Sequence, residues 1–440
     1  MMPSRAERVE RVLWIACPVL LFVMMFGHTT AIVNLALVLV LAGNVAAACS
    51  PARPSPGQWP LMLPMAVWAA WALASVAWSA HPEVSLHAWL DEVVYPALVF
   101  WGFWLLGTRL RRPGLLMLVP GLACALLAAM SAIHWGLLQP PTPDTFPLRF
   151  YNRVGHTSTL AVFAMPLFAG LLFHRRWKIL GIAGIACCLF IGLATLNRFF
   201  WPAAVVTLLV ALLPLYRRHV LLVLSATLIV GVLGLSMLEF SSRLRLDVPA
   251  PALVEPAGEG DGLLELLSRA LVGVDKTLLS DARPRFWEYY VEVGMRNAWI
   301  GVGFGKPLPG MAYRDELPDD LSVFEPYVST HAHNLFLNTW LQTGFVGLAL
   351  QLVLLASLAW QFRWHWRASD WWAPAGLALV AGMLTKNLTD DFMWKTTMLA
   401  FWAFAGLLLG LAQCAGDHRA SGIVAAGTSQ DSIDADRHLV

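Results

Sequence analysis

The chain has 440 residues, 58% of them hydrophobic and only 13% charged, with a formal net charge of +2. A soluble domain carries roughly 25% charged residues, so the composition excludes an ordinary soluble protein. The near-balanced charge leaves no basic footprint for a nucleic-acid partner.

In hydrocarbon the backbone must satisfy its own hydrogen bonds, and a helix needs about 20 mostly apolar residues to cross. Twelve segments qualify, near residues 12–28, 29–48, 61–79, 88–108, 114–136, 155–174, 179–196, 199–215, 218–237, 334–360, 371–388 and 395–414. The first two nearly abut, which leaves that count open by one. Runs of this length exclude a β-barrel. The expected fold is all-α: a polytopic membrane helical bundle of about 12 transmembrane helices, with one large outer loop containing short helices. The opening MMPSRAERVERVL is basic, but no A-x-A-like cleavage site follows its apolar run, so it reads as a retained helix. The six cysteines, Cys17, Cys49, Cys124, Cys187, Cys188 and Cys414, lie in or beside apolar runs without a CxxC pattern. They serve packing rather than a disulfide framework or a metal.

Basic residues concentrate in the short turns HRRWK (174–178), YRRH (216–219) and FRWHWR (362–367). With the N-terminus cytoplasmic, all three face the cytoplasm, as do both termini. The chain then divides into helices one to nine at 1–237, an outward insert at 238–333, helices ten to twelve at 334–415 and a tail at 416–440. The tail, with its Ser, Asp and Gly content, is expected to be disordered. The insert is too long for a simple connection and reads as a small folded lid. Within it, residues 245–262 are Pro- and Gly-rich. Residues 262–281 place Leu263, Leu266, Leu267, Ala270, Leu271, Val274 and Leu278 at helical spacing, an amphipathic helix suited to a membrane surface. DARPRFWEYYVEVG opens a second helix, with Pro284 in its first turn. GVGFGKPLPG ends that helix and lacks the GK[ST] of a nucleotide loop. No internal repeat is visible.

The residues that carry chemistry cluster at the outer ends of the helices. RFYNRVGH holds Arg149, Asn152, Arg153 and His156; the tight turn TLNRFFW holds Arg198; SDARPRFW holds Arg283 and Arg285. Arginines outside run against the positive-inside bias, and headgroup snorkelling is their bland alternative. After them come His331, His333 and Asn334, then nine residues and Gly344-Phe345-Val346-Gly347. HN, nine residues and GxxG resembles the motif of the O-antigen ligase and O-antigen polymerase superfamily of bacterial envelope glycosyltransferases.

That resemblance implies transfer of a glycan from a polyprenyl diphosphate carrier at the outer side of the inner membrane, inverting, with no metal, nucleotide sugar or other cofactor. It assigns His333 as the motif histidine, Asn334 as its polar follower, Arg198 as the arginine after the seventh helix, and Arg283, four residues before Trp287, as the second arginine. Arg285 makes that second assignment ambiguous, and His331 is a second histidine able to share the proton work. Arg149, Arg153 and Asn152 join as substrate-binding candidates.

The chemistry fits these residue types. A guanidinium binds phosphate in a planar, bidentate fork and stays charged, and a histidine can accept a hydroxyl proton near neutral pH. The outer face carries no DxD motif, and the adjacent pairs Asp319-Asp320 and Asp390-Asp391 are expected to be solvated or capping. Gly344 and Gly347 are expected to serve helix packing. Length and a single outer insert favour a ligase, with an undecaprenyl diphosphate-linked glycan as donor, the lipid A core as acceptor and membrane lipids around it. A polymerase or a protein O-oligosaccharyltransferase shares the motif. A twelve-helix transporter would show two similar halves, and none are seen.

Overall fold

The computed structural model describes residues 5–26, 30–49, 58–110, 113–137, 154–195, 197–216, 220–221, 224–225, 228–229, 231–237, 283–319, 321, 330–367, 371–389 and 391–437. Among these the secondary structure is helical, with no strand. The amphipathic helix at 262–281, the Pro/Gly approach at 245–262, and Arg149, Asn152 and Arg153 lie outside the described residues.

In chain order the helices are α1 (Arg5–Val23), α2 (Thr30–Ala48), α3 (Met62–Ala74), α4 (Pro82–Trp89), α5 (Tyr95–Arg109), α6 (Pro113–Leu137), α7 (Val154–Leu171), α8 (Lys178–Ala194), α9 (Phe200–Ala211) and the short α10 (Leu213–Tyr216). After the insert's first part come α11 (Arg283–Gly294), the short α12 (Leu308–Ala312), α13 (Leu335–Trp364), α14 (Trp372–Asn387) and α15 (Thr396–Arg437). A π-helical turn, Leu90–Val94, joins α4 to α5 in one rod. The abutting first two segments form two separate helices.

Among the described residues, five helices are long and apolar enough to cross a membrane: Thr30–Ala48, Pro82–Arg109, Pro113–Ile133, Leu335–Arg367 and Thr396–Gly416. Five further apolar helices, Val12–Val23, Met62–Trp78, Gly155–Leu171, Lys178–Ala194 and Phe200–Ala211, are shorter. The twelve spans expected from the sequence thus go beyond the five that the described residues carry at full length. The chain is a membrane protein of all-helical fold.

Helix α15 runs along α5, and α14 lies against α9 and α7. Glycine permits the α5–α15 contact: a Cβ on Gly406 would stand 2.1 Å from the Phe100 carbonyl oxygen. Small residues set close helix approach in this way where hydrocarbon offers no hydrophobic drive between helices. Large apolar side chains such as Ile179, Leu63, Trp360 and Trp364 remain exposed on the bundle's flanks, as expected of a surface that meets lipid. A second, smaller core joins Phe286, Tyr290 and Val293 of α11 to Tyr313, Ala332, Trp340 and Leu341. The described part of the insert is therefore folded against the start of α13. Tyr289 reinforces it by donating to the Tyr313 carbonyl at 2.6 Å; burial pushes its phenol up to about 12, so it stays a neutral donor.

Helix α13 is interrupted at Gly344, whose φ of 68° and ψ of −174° are non-helical. There Phe345 N donates to the Ala298 carbonyl at 2.8 Å, and a Cβ on Gly344 would stand 2.0 Å from Trp299 backbone atoms. The expected packing role thus holds in altered form: Gly344 supplies a left-handed break that admits the glycine-rich turn. Gly344→Ala is expected to destabilise the protein by at least about 1–2 kcal/mol, the strain of a left-handed L-residue. Thermal unfolding in detergent checks this, and an unchanged midpoint would refute it.

The last helix continues to Arg437, where the sequence predicts a disordered tail from Gly416. No proline follows Gly416 to stop it, and the alanines at 420, 425 and 426 favour its continuation.

Candidate active site

The histidines sit where α11 meets the start of α13. Ala332 between them is fully buried and held from two sides. Its carbonyl accepts from Trp287 Nε1 of α11 at 3.0 Å, and its N–H points to Asn338 Oδ1 of α13 at 3.4 Å. His331 and His333 therefore flank a fixed residue, and their rings lie 4.0 Å apart between centroids at 32°. His333 has φ of 49°, a left-handed conformation that is uncommon outside glycine. Its ring centroid is 6.4 Å from that of Phe286.

Asn334 is the N-cap of α13. Its Oδ1 accepts from Phe336 N at 3.0 Å and Leu337 N at 3.1 Å, while its Nδ2 donates to the Leu388 carbonyl at 2.8 Å. A side-chain oxygen here satisfies amides that a helix start leaves unpaired. Asn334 thus fixes the direction of α13 and ties it to the end of α14.

Two arginines from distant parts of the chain meet on one ring. Arg198 Cζ lies 4.9 Å and Arg283 Cζ 4.5 Å from the centroid of Phe199. Arg283 opens α11, one turn before the Trp287 that anchors the histidine segment. Arg285 is exposed, so of the two arginines of SDARPRFW it is Arg283 that joins Arg198.

The turn bearing Arg198 is held from beneath. Asn197 Oδ1 accepts from Phe199 N at 3.1 Å and from Lys386 Nζ of α14 at 3.3 Å. Lys386 is fully buried, with its Nζ 4.1 Å from the Phe392 ring centroid. His156, from the first arginine cluster, brings its ring within 6.1 Å of the same Phe392. Sequence reasoning passed over Lys386 and Phe199. The signal for Lys386 was present, an ionisable side chain inside an apolar segment; Phe199 reads as one more apolar residue.

The glycine-rich turn offers no phosphate cradle, since its amides are directed into the protein. Val302 N and Gly303 N donate to the carbonyls of Leu341 and Gln342 at 3.0 and 2.9 Å, Phe304 N to Ser75 Oγ at 2.9 Å and Gly305 N to Gln342 Oε1 at 2.8 Å. Lys306 points inward and donates to the Asp391 carbonyl. Of the solvated or capping role expected for it, Asp391 lacks the first: it is 3% exposed, and Asn338 Nδ2 at 2.9 Å, Met393 N, two residues on, at 3.2 Å and Lys306 Nζ at 3.9 Å all face its carboxylate. Asp319 is exposed, as expected; Asp320 and Asp390 lie outside the described residues.

The site thus places two cations against one aromatic ring and joins Arg283, through α11, to a rigid histidine pair. Guanidinium groups so held can neutralise a di-anion, and an imidazole can accept a proton beside it. No curated protein matches the chain. Residues 153–352 match the family model described as O-Antigen ligase, a span that takes in the Arg198 turn, α11, the glycine-rich turn and the histidine pair, while Lys386 and Asp391 fall beyond it. Over residues 153–352 the chain is thus similar to the O-antigen ligase family, in the ligase and polymerase group of glycosyltransferase-like membrane enzymes.

Proposed function

We propose that the protein is an O-antigen ligase, which transfers a glycan from undecaprenyl diphosphate to the lipid A core at the periplasmic face of the bacterial inner membrane. In this reading twelve helices span the bilayer, both termini are cytoplasmic, and residues 238–333 form a periplasmic lid. The observation that carries it is the shared perch of Arg198 and Arg283 on Phe199, joined through α11 to His331 and His333. The arginines grip the donor diphosphate and stabilise the charge left as it departs. His333 takes the proton of the attacking sugar hydroxyl, and the acceptor oxygen displaces the diphosphate from the anomeric carbon with inversion. His331, Asn334, Arg285, Arg149, Arg153 and Asn152 contribute to substrate binding around them.

Lipopolysaccharide ladders from a deletion strain test this reading. A ligase loses all long glycan from the lipid A core; a ladder that keeps a single repeat identifies a polymerase instead. An unaltered ladder with altered glycosylated proteins identifies a protein O-oligosaccharyltransferase. Transfer by purified protein in detergent without an ion gradient separates all three from a transporter.

Arginines stand here where many phosphate-transferring sites use a divalent metal. Transfer is accordingly expected to survive a strong chelator at an unchanged rate. Activity that vanishes with chelator and returns with magnesium would reject the metal-independent mechanism.

A further inference from the structure

Glu92 is a buried carboxylate that the transfer chemistry leaves unused. It sits on the π-helical turn between α4 and α5 and is 7% exposed. Such turns recur at functional sites, because the extra residue redirects a side chain. Its Oε1 is buried without a hydrogen-bond partner among the described residues. The charges that act on it are Asp391, Lys306, Asp91 and Lys395; of these Asp91 and Lys395 are exposed, whereas Asp391 and Lys306 are buried.

The two buried carboxylates have opposite surroundings. Asp391 is served by Asn338 Nδ2, Met393 N and Lys306 Nζ, a donor set that suits an anion. Among the described residues no donor reaches Glu92 Oε1. An ionised Glu92 would set two buried negative charges, its own and that of Asp391, against the one buried ammonium that acts on it, Lys306, an excess that low dielectric disfavours strongly. Glu92 also lines a cavity of about 50 Å³ together with Asp391, Thr339, Gln342 and Gln351, which leaves room for water. Gln351 Oε1 is a second buried oxygen without a partner among the described residues. A metal ion would need more free oxygens than these two, since Gln342 Oε1 is already taken by Gly305 N, the Asp391 carboxylate by Asn338, Met393 and Lys306, and the lining beyond these and Thr339 is apolar.

We propose that Glu92 is a proton-binding site: it is a neutral acid in the resting protein, and its O–H donates across the cavity toward Gln351 Oε1. The proton matters beyond the cavity. Lys306 and Asn338 both hold Asp391, and Asn338 in turn receives the Ala332 N–H between the two histidines. When Glu92 loses its proton to solvent, Lys306 is drawn from Asp391 to the new carboxylate, and the support of the histidine pair slackens. Glu92 is thereby a positioning residue that acts while protonated.

The pH profile of transfer tests the consequence, which rests on the transferase reading; infrared spectroscopy of the purified full chain tests the site without that reading. The wild-type spectrum should contain the carbonyl stretch of a neutral carboxylic acid, shifted by ¹³C-glutamate but not by ¹³C-aspartate labelling and lost in Glu92→Gln. Wild-type transfer should fall about tenfold per pH unit once the pH has risen past the midpoint of a single ionisation, whereas Glu92→Gln, neutral at every pH, should lose that fall. A wild-type spectrum without a glutamate-sensitive acid band overturns the proposal even if Glu92→Gln does not fold. So does a fall with rising pH that Glu92→Gln shares, or a sodium-dependent rise in melting temperature that Glu92→Gln abolishes. If no form transfers glycan, the transferase reading fails while the acid band still decides Glu92.

Discussion

His333→Ala is expected to lower glycan transfer by about 10²–10⁴-fold, the range of general-base assistance, while insertion and thermal unfolding stay as in the wild type. A sugar hydroxyl is a weak nucleophile until its proton has a place to go, and the His333 ring stands beside His331 on a segment whose central residue is pinned by Trp287 and Asn338. The backbone complicates the reading, since His333 has φ of 49° and a substitution could relax the turn as well as remove the imidazole. His333→Asn separates the two, because asparagine tolerates the left-handed region but supplies no base. Both variants should be inactive with unchanged melting temperatures. His331→Ala should cost less, since its neighbour remains. Normal lipopolysaccharide ladders from a His333→Asn strain would remove His333 from the chemistry.

Arg198→Ala and Arg283→Ala should each reduce transfer by about 10²–10³-fold, the loss seen when one preorganised charge-stabilising donor is removed. Lysine should rescue neither, because a guanidinium both stacks on Phe199 and binds phosphate through a planar fork, and an ammonium does neither well. The two losses should not multiply in the double variant, since both side chains rest on one ring and act on one charge. Lys386→Met offers an independent check. It removes the Nζ contact to Asn197 Oδ1 and should weaken transfer by loosening the Arg198 turn, with Lys386→Arg restoring part of the activity. In vitro transfer with purified variants measures all of these, and near-wild-type rates for either arginine variant would reject a shared diphosphate grip.

The sequence by itself determined the class of the protein and the positions of most helices. Hydrocarbon leaves an unpaired backbone no water, so an apolar run such as 114–136 or 371–388 becomes a helix, and α6 and α14 fall there. The motif residues His333 and Asn334, the two arginine turns and the proline at the start of α11 were legible for the same local reasons. What a residue does across the bundle was not. Nothing local in TLNRFFW tells that Phe199 also bears Arg283, which lies 84 residues further along. Asn334, read as a substrate ligand, is also the cap of α13 and is tied to Leu388; Asp391, read as solvated or capping, is buried under Lys306 and Asn338; Gly344, read as a packing glycine, packs against Trp299 by breaking the helix. Periodicity and hydropathy record what a segment must hide from water or lipid. Which polar groups then meet depends on the side chains that packing brings together from separate helices, and only the tertiary structure decides that.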